Sequence, residues 1–367
     1  MLSRLYRVLG IMSGTSLDGL DLTLCSFSND SGKWNYKIEK TLTLPYDNDW
    51  KKNLAEAGRL NAFEFIALHK EYGRYTGRKA IEFLGNEKNT VDFIASHGHT
   101  VFHEPEKQIT FQIGDGASIA AMTGLTTISD FRNLDVAMGG QGAPLVPVGD
   151  ELLFGDYDYC LNLGGFSNIS YHSENKRIAF DICPVNIVLN RFAQHAGLDF
   201  DKDGNLGRQG KVNHDLLNEL NSLEYYRVKP PKSLGREWLE IHFLPVVEKY
   251  PVSEADIIRT LYEHIVFQIS KSAAGNLKKI LVTGGGVYNL FLMELLQKQT
   301  TFNIIIPDRQ VVEYKEALIF AFLGVLRFMK KPNCLSSVTG ASMDNCGGSI
   351  FEVPGKHLVV NLHKAEF

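Results

Sequence analysis

The sequence predicts an α/β protein made of two similar lobes. Apolar strand-like segments alternate with longer segments of helical periodicity along most of the chain. A strand, a turn rich in glycine and hydroxyl groups, and a second strand occupy residues 7–27, and this arrangement recurs at residues 159–172. The 367 residues also exceed the usual size of a single hydrophobic core, so two domains are expected.

The first lobe is predicted to begin with a β-meander of three apolar segments. These segments lie at residues 7–12, 20–27 and 34–44. Phe65, Leu68, Tyr72 and Tyr75 recur near one face of a predicted helix over residues 62–84. The lobe continues with a short strand, a helix and another strand, at residues 92–96, 117–123 and 126–129. A glycine-rich segment over residues 130–147 has no regular period and ends in prolines, which is typical of a loop.

The second lobe repeats the strand–turn–strand opening and then alternates helices with strands. Strands are predicted at 159–163, 169–172 and 302–306, and helices at 187–196, 255–276 and 315–329. Residues 278–297 are predicted to form a strand, a triple glycine and a helix. The predicted boundaries are 1–145 for the first lobe and 146–339 for the second, with segment 340–367 a candidate addition to the first. A ligand cleft is expected between the two lobes.

The charge balance argues against nucleic acid as a partner. The chain carries 38 basic and 42 acidic side chains, a formal net charge of −4, and no basic stripe interleaved with aromatic residues. A small anionic ligand must therefore be held by local backbone geometry rather than by a general positive field.

The cysteines and the apolar segments predict a cytoplasmic protein with no membrane partner. The five cysteines are odd in number and contain no Cys-x-x-Cys pair, which favours reduced thiols. The apolar run before the first turn is too short for a signal-peptide core. The longest late apolar segment, residues 317–326, is about half the length of a membrane span.

Three glycine turns are candidates to bind phosphate, at residues 13–19, 164–168 and 284–289. None is a Walker loop or a G-x-G-x-x-G fingerprint, and each alone is explained as a simple turn. Successive backbone N–H groups in such turns nevertheless form anion-binding nests, and their occurrence in both halves favours one nucleotide held between two lobes. The predicted nucleotide-binding residues are Gly14, Thr15, Ser16, Leu17, Asp18, Gly19, Leu20, Asp21, Gly164, Gly165, Gly284, Gly285, Gly286 and Asn289.

Acidic residues near the ends of predicted strands are candidates for catalysis and metal binding. Asp18 is the predicted ligand of Mg²⁺, directly or through water. Asp181 follows a strand and precedes Pro184, where a carboxylate facing a cleft suits a general base. Asp130 and Arg132 follow another strand, and Glu316 opens the last long helix. The alternative for each acid is capping or a solvated salt bridge.

The histidines of "SHGHTVFH" do not predict a metal site. His97, His99 and His103 lack tight zinc spacing, and no cysteine or carboxylate nearby completes a tetrahedral set. Hydrogen bonding to a ligand or a loop is favoured instead. The residues alone therefore predict a two-lobed enzyme that uses a nucleotide with Mg²⁺, a phosphotransferase acting on a small molecule.

Several longer motifs add a specific resemblance. They occur in order from residue 10 to 341 and read "GIMSGTSLDGLDL", "ASHGHTVFHEP", "QIGDGASIA", "SDFRNLDVAMGGQGAPLVP", "LNLGGFSNIS", "PKSLGREWL", "LVTGGGVYNLFLMELL", "EALIFAFL" and "SSVTGA". Together they closely resemble the anhydro-N-acetylmuramic acid kinase family of bacterial cell-wall (peptidoglycan) recycling, over nearly the whole chain. The resemblance implies the fold of the actin, hexokinase and heat-shock-chaperone superfamily, with two related ribonuclease-H-like lobes that close over ATP.

The resemblance also implies a coupled reaction. Water opens the 1,6-anhydro ring of the amino sugar while ATP phosphorylates O6, giving N-acetylmuramic acid 6-phosphate and ADP. A base that deprotonates the water attacking C1 drives both events, because O6 becomes nucleophilic as its bond to C1 breaks. Asp181 matches the family's base. Thr100, Asp130, Arg132 and Glu316 are the implied substrate-binding residues.

Two motifs depart from the family pattern. The family motif Asp-Thr-Gly-Pro-Gly-Asn is Asp181-Ile182-Cys183-Pro184-Val185-Asn186 here, which keeps the base but makes the backbone around it stiffer and bulkier. His99 replaces the glutamine of a His-Gly-Gln-Thr motif, so the pH dependence of this chain is expected to differ if that side chain touches substrate.

Two other functions remain as alternatives at this stage. One is a kinase of a different small sugar in the same fold, which the altered loop after Asp181 favours. The other is a nucleotide-dependent binding module that hydrolyses ATP slowly and is not a kinase. The expected partner is a small amino sugar, and a homodimer is retained as the expected assembly.

Overall fold

The computed structural model describes residues 4–14, 17–273 and 278–353. Its strands are β1 (Tyr6–Ser13), β2 (Gly19–Asp30), β3 (Lys33–Pro45), β4 (Phe93–Ser96), β5 (His99–Glu104), β6 (Ile109–Ile113), β7 (Thr127–Ser129), β8 (Tyr159–Leu163), β9 (Phe166–Ser173), β10 (Lys176–Pro184), β11 (Lys279–Thr283), β12 (Asn303–Ile305) and β13 (Ser349–Phe351).

The α-helices are α1 (Asn48–Glu56), α2 (Ala62–Leu84), α3 (Gly116–Thr123), α4 (Asn133–Ala137), α5 (Val146–Leu153), α6 (Asn186–His195), α7 (Asn205–Gln209), α8 (His214–Ser222), α9 (Arg236–Trp238), α10 (Leu244–Glu248), α11 (Glu254–Ser272), α12 (Leu290–Gln299), α13 (Arg309–Phe328) and α14 (Ser336–Thr339). Side-chain caps start two of the long helices. Asn61 accepts from the backbone N–H of Glu64 in α2, and Ser253 accepts from the backbone N–H of Asp256 in α11. No helix within the described ranges is long and apolar enough to cross a membrane.

Two compact units divide the chain. Unit 1 consists of the described residues up to Leu153 together with those from Tyr314 onward, and unit 2 of Phe154–Glu313. The sequence places the boundaries at 145/146 and 339/340 instead, so the structure assigns α5 and residues 314–339 to unit 1. Helix α13 has a non-helical backbone at Tyr314, where unit 1 resumes.

Packing explains why α13 continues unit 1. At Gly10 of β1, a Cβ atom would lie 2.1 Å from the carbonyl oxygen of Ala317, so only glycine allows this helix to approach the strand so closely. Farther along, Phe322 packs against Phe27 of β2 with ring centroids 5.4 Å apart. Periodicity identifies the buried face of a helix, but it does not reveal which of two sheets that face covers.

Unit 1 contains a six-stranded sheet in the order β13-β7-β4-β1-β2-β3. Strands β1, β2 and β3 form the predicted antiparallel meander, whereas β4 and β7 run parallel to β1. Strand β13 adds to the edge antiparallel to β7. Leu9, Ile11, Leu22 and Leu24 are fully buried on this sheet, in a cluster that includes Tyr72 of α2.

Unit 2 contains a five-stranded sheet in the order β10-β9-β8-β11-β12. Strands β8, β9 and β10 form an antiparallel meander, and β11 and β12 extend it in parallel from β8. This is the order and direction of β3-β2-β1-β4-β7 in unit 1. The similar halves expected from the sequence are therefore confirmed as two ribonuclease-H-like sheets, with β13 an addition to the first.

Four segments differ from the sequence-based expectation. Residues 99–113, for which no element was predicted, form the separate hairpin β5–β6. Residues Asn133–Ala137 form α4 within the segment 130–147 that was expected to be a loop. Strand β10 does not stop before Asp181 but runs on to Pro184, with an irregular register between Asp181 and Cys183. Residues 200–240, for which no helix was predicted, contain helices α7, α8 and α9, because short helices that depend on tertiary packing leave weak periodicity.

Candidate functional site

The first glycine turn joins β1 and β2 in unit 1. The last pair of the hairpin is Ser13 with Leu20, and Leu17 has a positive φ of 60°, an uncommon conformation for a residue other than glycine. Asp18 is exposed, so its carboxylate is accessible to a metal ion. Thr15 and Ser16, both predicted to contact phosphate, lie outside the described residues. The turn geometry is consistent with the predicted role, and the nucleotide contacts themselves stay a prediction.

Residues 19–21 of this turn are held by the neighbouring strand β3. Gly19 and Leu20 are buried, the latter with its side chain in the core of unit 1. Asp21 accepts a hydrogen bond of 2.6 Å from Thr43 Oγ1, which in turn lies 3.1 Å from Tyr314 Oη. Gly19 and Leu20 are thus paired within the sheet, and the half-buried carboxylate of Asp21 is the part of these residues that a ligand could use.

The other two glycine turns lie side by side in unit 2. Gly164 and Gly165 join β8 to β9, and Gly284 follows β11, whose Thr283 pairs with Asn162 of the parallel strand β8. Gly284 has a φ of +86°, and a Cβ there would lie 2.6 Å from Asn162 Oδ1 and 2.8 Å from the carbonyl carbon of Leu163. The structure thus brings together two loops that are some 120 residues apart in sequence, at the carboxyl ends of parallel strands, where ligands of such sheets bind.

Asn289 has a structural role in unit 2. Its Oδ1 accepts from the backbone N–H of Leu292 at the start of α12, and its Nδ2 donates to Tyr262 Oη at 2.5 Å. Both ends of the amide are therefore used within the protein. Its backbone N–H also donates to Gly286 O and its carbonyl accepts from Met293 N, and its predicted contact with nucleotide stays a prediction.

Asp181 lies on β10, held by the segment that precedes α9. Its Oδ2 accepts from the backbone N–H of Leu234 at 2.8 Å, its own N–H donates to the carbonyl of Lys232 at 3.3 Å, and its carbonyl accepts from Tyr225 Oη at 2.5 Å. Burial raises the pKa of Asp181 to about 6, and the Leu234 N–H opposes the rise. A carboxyl with this pKa suits a general base near neutral pH.

Asn186 connects the Asp181 strand to the glycine turn after β8. Its Nδ2 donates to the carbonyl of Leu163 at 3.1 Å, and its backbone N–H donates to that of Gly164 at 3.2 Å. The N–H of Val185 donates to Gly165 O at 2.8 Å. Hydrogen bonds therefore join the end of the Asp181 strand to one of the candidate phosphate loops, the turn after β8.

Arg132 is the centre of the polar site in unit 1. Its Nε donates to His97 Nε2 at 2.9 Å and its NH1 donates to the carbonyl of Gly142 at 2.7 Å, which orients the guanidinium from two sides. Burial lowers the pKa of Arg132 to about 10, and Glu316 opposes that shift. The group remains cationic at neutral pH and suits a ligand carboxylate.

The other predicted sugar-binding residues are also on unit 1. Asp130 directly follows β7 and has a positive φ of 61°, and burial raises the pKa of its carboxyl. Desolvation by the surrounding protein raises the pKa of the Glu316 carboxyl. Arg132 opposes this rise and Asp21 adds to it. Thr100 is half-buried on β5. Electrostatic coupling thus groups Arg132, Glu316 and Asp21, whereas no contact ties Thr100 to them within the described residues.

A buried carboxylate that sequence reasoning missed shapes the glycine-rich loop beside Arg132. Asp135 is fully buried and accepts four hydrogen bonds, from Gly142 N, Cys334 Sγ, Thr339 Oγ1 and Asn345 Nδ2. It therefore joins the loop to the "SSVTGA" segment near the end of the described chain. Its position inside the long 130–147 motif was the available signal, but only the tertiary contacts reveal four donors.

The three histidines after β4 are hydrogen-bonding groups. His97 contacts Arg132, Ser13 Oγ lies 3.0 Å from His99 Nδ1, and Thr110 Oγ1 lies 3.1 Å from His103 Nδ1. Burial lowers the pKa of all three. Among the residues that the structure describes, no group of three or more histidine, cysteine, aspartate or glutamate side chains is placed to hold a metal ion.

The duplicated sheet and the glycine turns define an actin-like protein, of the class that includes ATPases and sugar kinases. The family model described as anhydro-N-acetylmuramic acid kinase matches residues 6–353. The chain belongs to this family.

Curated members of the same family match this chain over nearly their whole length. The anhydro-N-acetylmuramic acid kinase of Hydrogenovibrio crunogenus is 33% identical, covering 95% of this chain and 98% of that protein. Those of Aliivibrio fischeri and Vibrio cholerae are 35% and 36% identical, covering 92% and 91% of this chain and 96% and 95% of those proteins.

Proposed function

We propose that this chain is an ATP-dependent kinase that opens the ring of 1,6-anhydro-N-acetylmuramic acid with water and phosphorylates O6. Membership of the family carries the proposal, because it spans nearly the whole chain. The geometry of Asp181 supports it, since a buried carboxyl with a pKa of about 6 lies on a strand whose end is joined through Asn186 to the glycine turn after β8.

The reaction balances through two bond exchanges. The oxygen of water forms a bond to C1 as the bond from C1 to O6 breaks, and the proton of that water passes to Asp181. O6 then forms a bond to the γ-phosphorus as the bond from that phosphorus to the bridging oxygen of ADP breaks. The products are N-acetylmuramic acid 6-phosphate and ADP, and the base releases its proton to solvent.

Asp181 is suited to take the proton because its two carboxylate oxygens differ. Oδ2 accepts the Leu234 N–H, so Oδ1 is the oxygen that remains for water. With a pKa of about 6, the group is mostly ionised at pH 7.5 and yet basic enough to share a proton in the transition state.

Sugar recognition falls to the polar groups of unit 1. Arg132 has two of its donors engaged by His97 and Gly142 and offers NH2 to the carboxylate of the sugar. Asp130 and Glu316 are the proposed acceptors of sugar hydroxyls, and Thr100 supplies a hydroxyl from β5.

The residues present fit ATP and Mg²⁺. Gly285 is exposed, and only Asn186 Nδ2, at 3.8 Å, lies near the position of its missing Cβ atom, which lets a nucleotide approach the backbone closely. Gly284 and Gly286 instead allow this turn to pack against Leu163 of β8. Magnesium is usually bound through one or two carboxylates plus substrate phosphates, and the exposed Asp18 in the first turn is a suitable ligand. The ion supplies charge stabilisation at the phosphates when bound.

The proposed location is the cytoplasm and the proposed assembly is a homodimer. All five cysteines are present as thiols, as expected in a reducing compartment. Light scattering on the purified chain tests the assembly directly.

Product analysis in ¹⁸O-labelled water tests the reaction. The enzyme is incubated with Mg²⁺-ATP and the anhydro sugar, and the product is examined by mass spectrometry. One added water, with ¹⁸O at C1, and one added phosphoryl group at O6 are expected. Phosphorylation without hydration contradicts the coupled mechanism.

Parallel reactions separate the alternatives. Turnover of a simple hexose without turnover of the anhydro sugar indicates a different sugar kinase. ATP hydrolysis at one rate with every sugar indicates a nucleotide-dependent binding module. Asp181→Asn is the matched control for the wild-type enzyme in these reactions, because the substitution keeps the shape of the side chain and removes its basicity.

A further inference from the structure

A line of buried hydroxyl groups leads to His99 from the core of unit 1. Tyr72 Oη and Tyr46 Oη lie 2.5 Å apart, Tyr46 Oη donates to Ser13 Oγ at 2.8 Å, and Ser13 Oγ lies 3.0 Å from His99 Nδ1. All four residues are less than 9% exposed. None of these contacts was assigned a role by the reaction proposed above.

The hydrogen bonds along this line favour one tautomer of His99. Tyr46 Oη donates to Ser13 Oγ, which keeps its own proton to donate. We assign Nδ1 of His99, 3.0 Å from Ser13 Oγ, as the acceptor of that proton. Burial lowers the pKa of His99 to about 4, so the ring is neutral at physiological pH. A neutral ring that accepts at Nδ1 carries its proton on Nε2.

His97, two residues earlier, has the opposite arrangement. Its Nε2 accepts from Arg132 Nε at 2.9 Å, so Nδ1 carries the proton and donates to the carbonyl of Gly98 at 2.9 Å. Both ring nitrogens of His97 are thus used within the protein. The Nε2–H of His99, in contrast, has no acceptor among the described residues, and it precedes the predicted sugar-binding residue Thr100 on β5.

We infer that His99 is a specificity residue that donates its Nε2–H to an oxygen of the bound amino sugar, with Ser13 holding the ring in that tautomer. The sugar as ligand rests on the function proposed above. An uncharged donor suits a hydroxyl, ether or amide oxygen, and it complements Arg132, whose charge suits a carboxylate. A glutamine at the same position could present an amide N–H instead.

Nitrogen-detected NMR of the ¹⁵N-histidine-labelled full chain tests the tautomer independently of activity. His99→Gln identifies the His99 signals by their loss. A proton on Nε2 and a hydrogen-bonded, unprotonated Nδ1 are expected at pH 7. Ser13→Ala should move the Nδ1 signal toward that of a nitrogen without a hydrogen bond, whereas Tyr46→Phe keeps Ser13 and should move it less. A proton on Nδ1 in the wild-type protein overturns the inference.

Titration with the anhydro sugar, without nucleotide, tests the contact. The Nε2–H signal should shift on binding, and His99→Leu should raise the Kd for the sugar about three- to tenfold, the loss of one hydrogen bond. His99→Gln should recover most of that affinity. Equal Kd values for His99→Leu and His99→Gln overturn the inference, provided that both variants melt as cooperatively as the wild type.

The two proposals fail in different ways. If the wild-type protein does not bind the sugar, the proposed function is contradicted. If it binds and phosphorylates the sugar while the Nε2–H signal of His99 does not change, only the role of His99 is overturned.

Discussion

Leu234 donates its backbone N–H to Oδ2 of Asp181 at 2.8 Å, although 53 positions separate the two residues. This bond stabilises the carboxylate form and thus limits how far burial raises the pKa of Asp181. It also orients the carboxylate, because the same segment accepts the N–H of Asp181 at the carbonyl of Lys232.

Deleting this N–H should raise the pKa of the base. Replacing the Leu234 amide by an ester, through incorporation of the α-hydroxy acid, removes the donor and keeps the side chain. Since a hydrogen bond to a charged group contributes about 1.5–3 kcal/mol, we expect the acidic limb of the kcat/KM profile to move up by about one to two pH units. Leu234→Ala keeps the N–H and is the control. An unchanged limb in the ester variant would mean that another group titrates there.

Asp181→Asn should abolish turnover but increase stability near neutral pH. The folded-state pKa, about 6, lies above the unfolded value near 3.8, so folding favours the protonated carboxyl. The ionised group therefore costs stability as pH rises from about 4 to 6, and the cost is complete above pH 6. Its magnitude is about 1–3 kcal/mol.

Urea unfolding of both proteins at pH 4 and pH 7.5 measures this effect. The variant should gain stability over the wild type at pH 7.5 and gain much less at pH 4. ATP affinity should be almost unchanged, because the side chain is assigned to water rather than to nucleotide. A large loss of ATP affinity would show that Asp181 is a nucleotide ligand.

Asp135→Ala should destabilise the protein severely. The substitution leaves four buried donors without their acceptor, for which a loss of about 3–5 kcal/mol is expected. The free energy of unfolding in urea measures the loss. Asp344→Ala is the comparison, because Asp344 accepts two bonds from Ser336 at an exposed site and should cost about 1 kcal/mol. Equal losses would contradict the structural role assigned to Asp135.

His97→Leu should weaken sugar binding through Arg132. The variant removes the acceptor of Arg132 Nε at 2.9 Å and frees the guanidinium to rotate. We expect KM for the sugar to rise about tenfold, the equivalent of about 1.4 kcal/mol, with KM for ATP unchanged. Steady-state kinetics with each substrate varied in turn distinguishes the two. If both KM values rise together, the effect of His97 is general rather than directed at Arg132.

Gly284→Ala should weaken nucleotide binding more than its backbone strain explains. The new Cβ would lie 2.6 Å from Asn162 Oδ1 in a residue with φ +86°. Gly197→Ala is the matched control, because Gly197 has a φ of +79° with nothing within 4 Å of its Cβ position. Gly197→Ala should lose about 1 kcal/mol of stability from strain, and Gly284→Ala should lose more because its Cβ also overlaps Asn162 and Leu163. Only Gly284→Ala should also lose ATP affinity by calorimetry. Equal ATP affinities would remove Gly284 from the nucleotide site.

The fold could largely be predicted from the sequence, because its signals are local. Apolar periodicity identified the two meanders and helices α2 and α11, and the repeated strand–turn–strand pattern indicated two similar units. Short helices such as α4, α7 and α8 were not predicted, and α13 was assigned to the wrong unit. Its apolar face is compatible with either sheet, and the close approach of Gly10 to Ala317 is a contact between residues 307 positions apart.

The candidate site was predicted in its residue types and in part of its arrangement. The family motifs indicated Asp181, Arg132 and the glycine turns, since each is a short run with a recognisable pattern. The roles of the residues that orient them were missed: His97 beside Arg132, Leu234 beside Asp181 and Asp135 within the glycine-rich loop. Their hydrogen bonds join segments that are distant in sequence, and no local pattern marks such partners.

The sequence by itself determined the fold class, the family and the identity of the candidate base, because periodicity and contiguous motifs are properties of neighbouring residues. Only the tertiary structure decided the protonation of these groups. The pKa of Asp181 depends on burial and on the N–H of Leu234, and the tautomer of His99 depends on Ser13 and Tyr46. Desolvation and hydrogen bonding arise when distant segments pack together, so the chemical state of the site is a property of the folded chain.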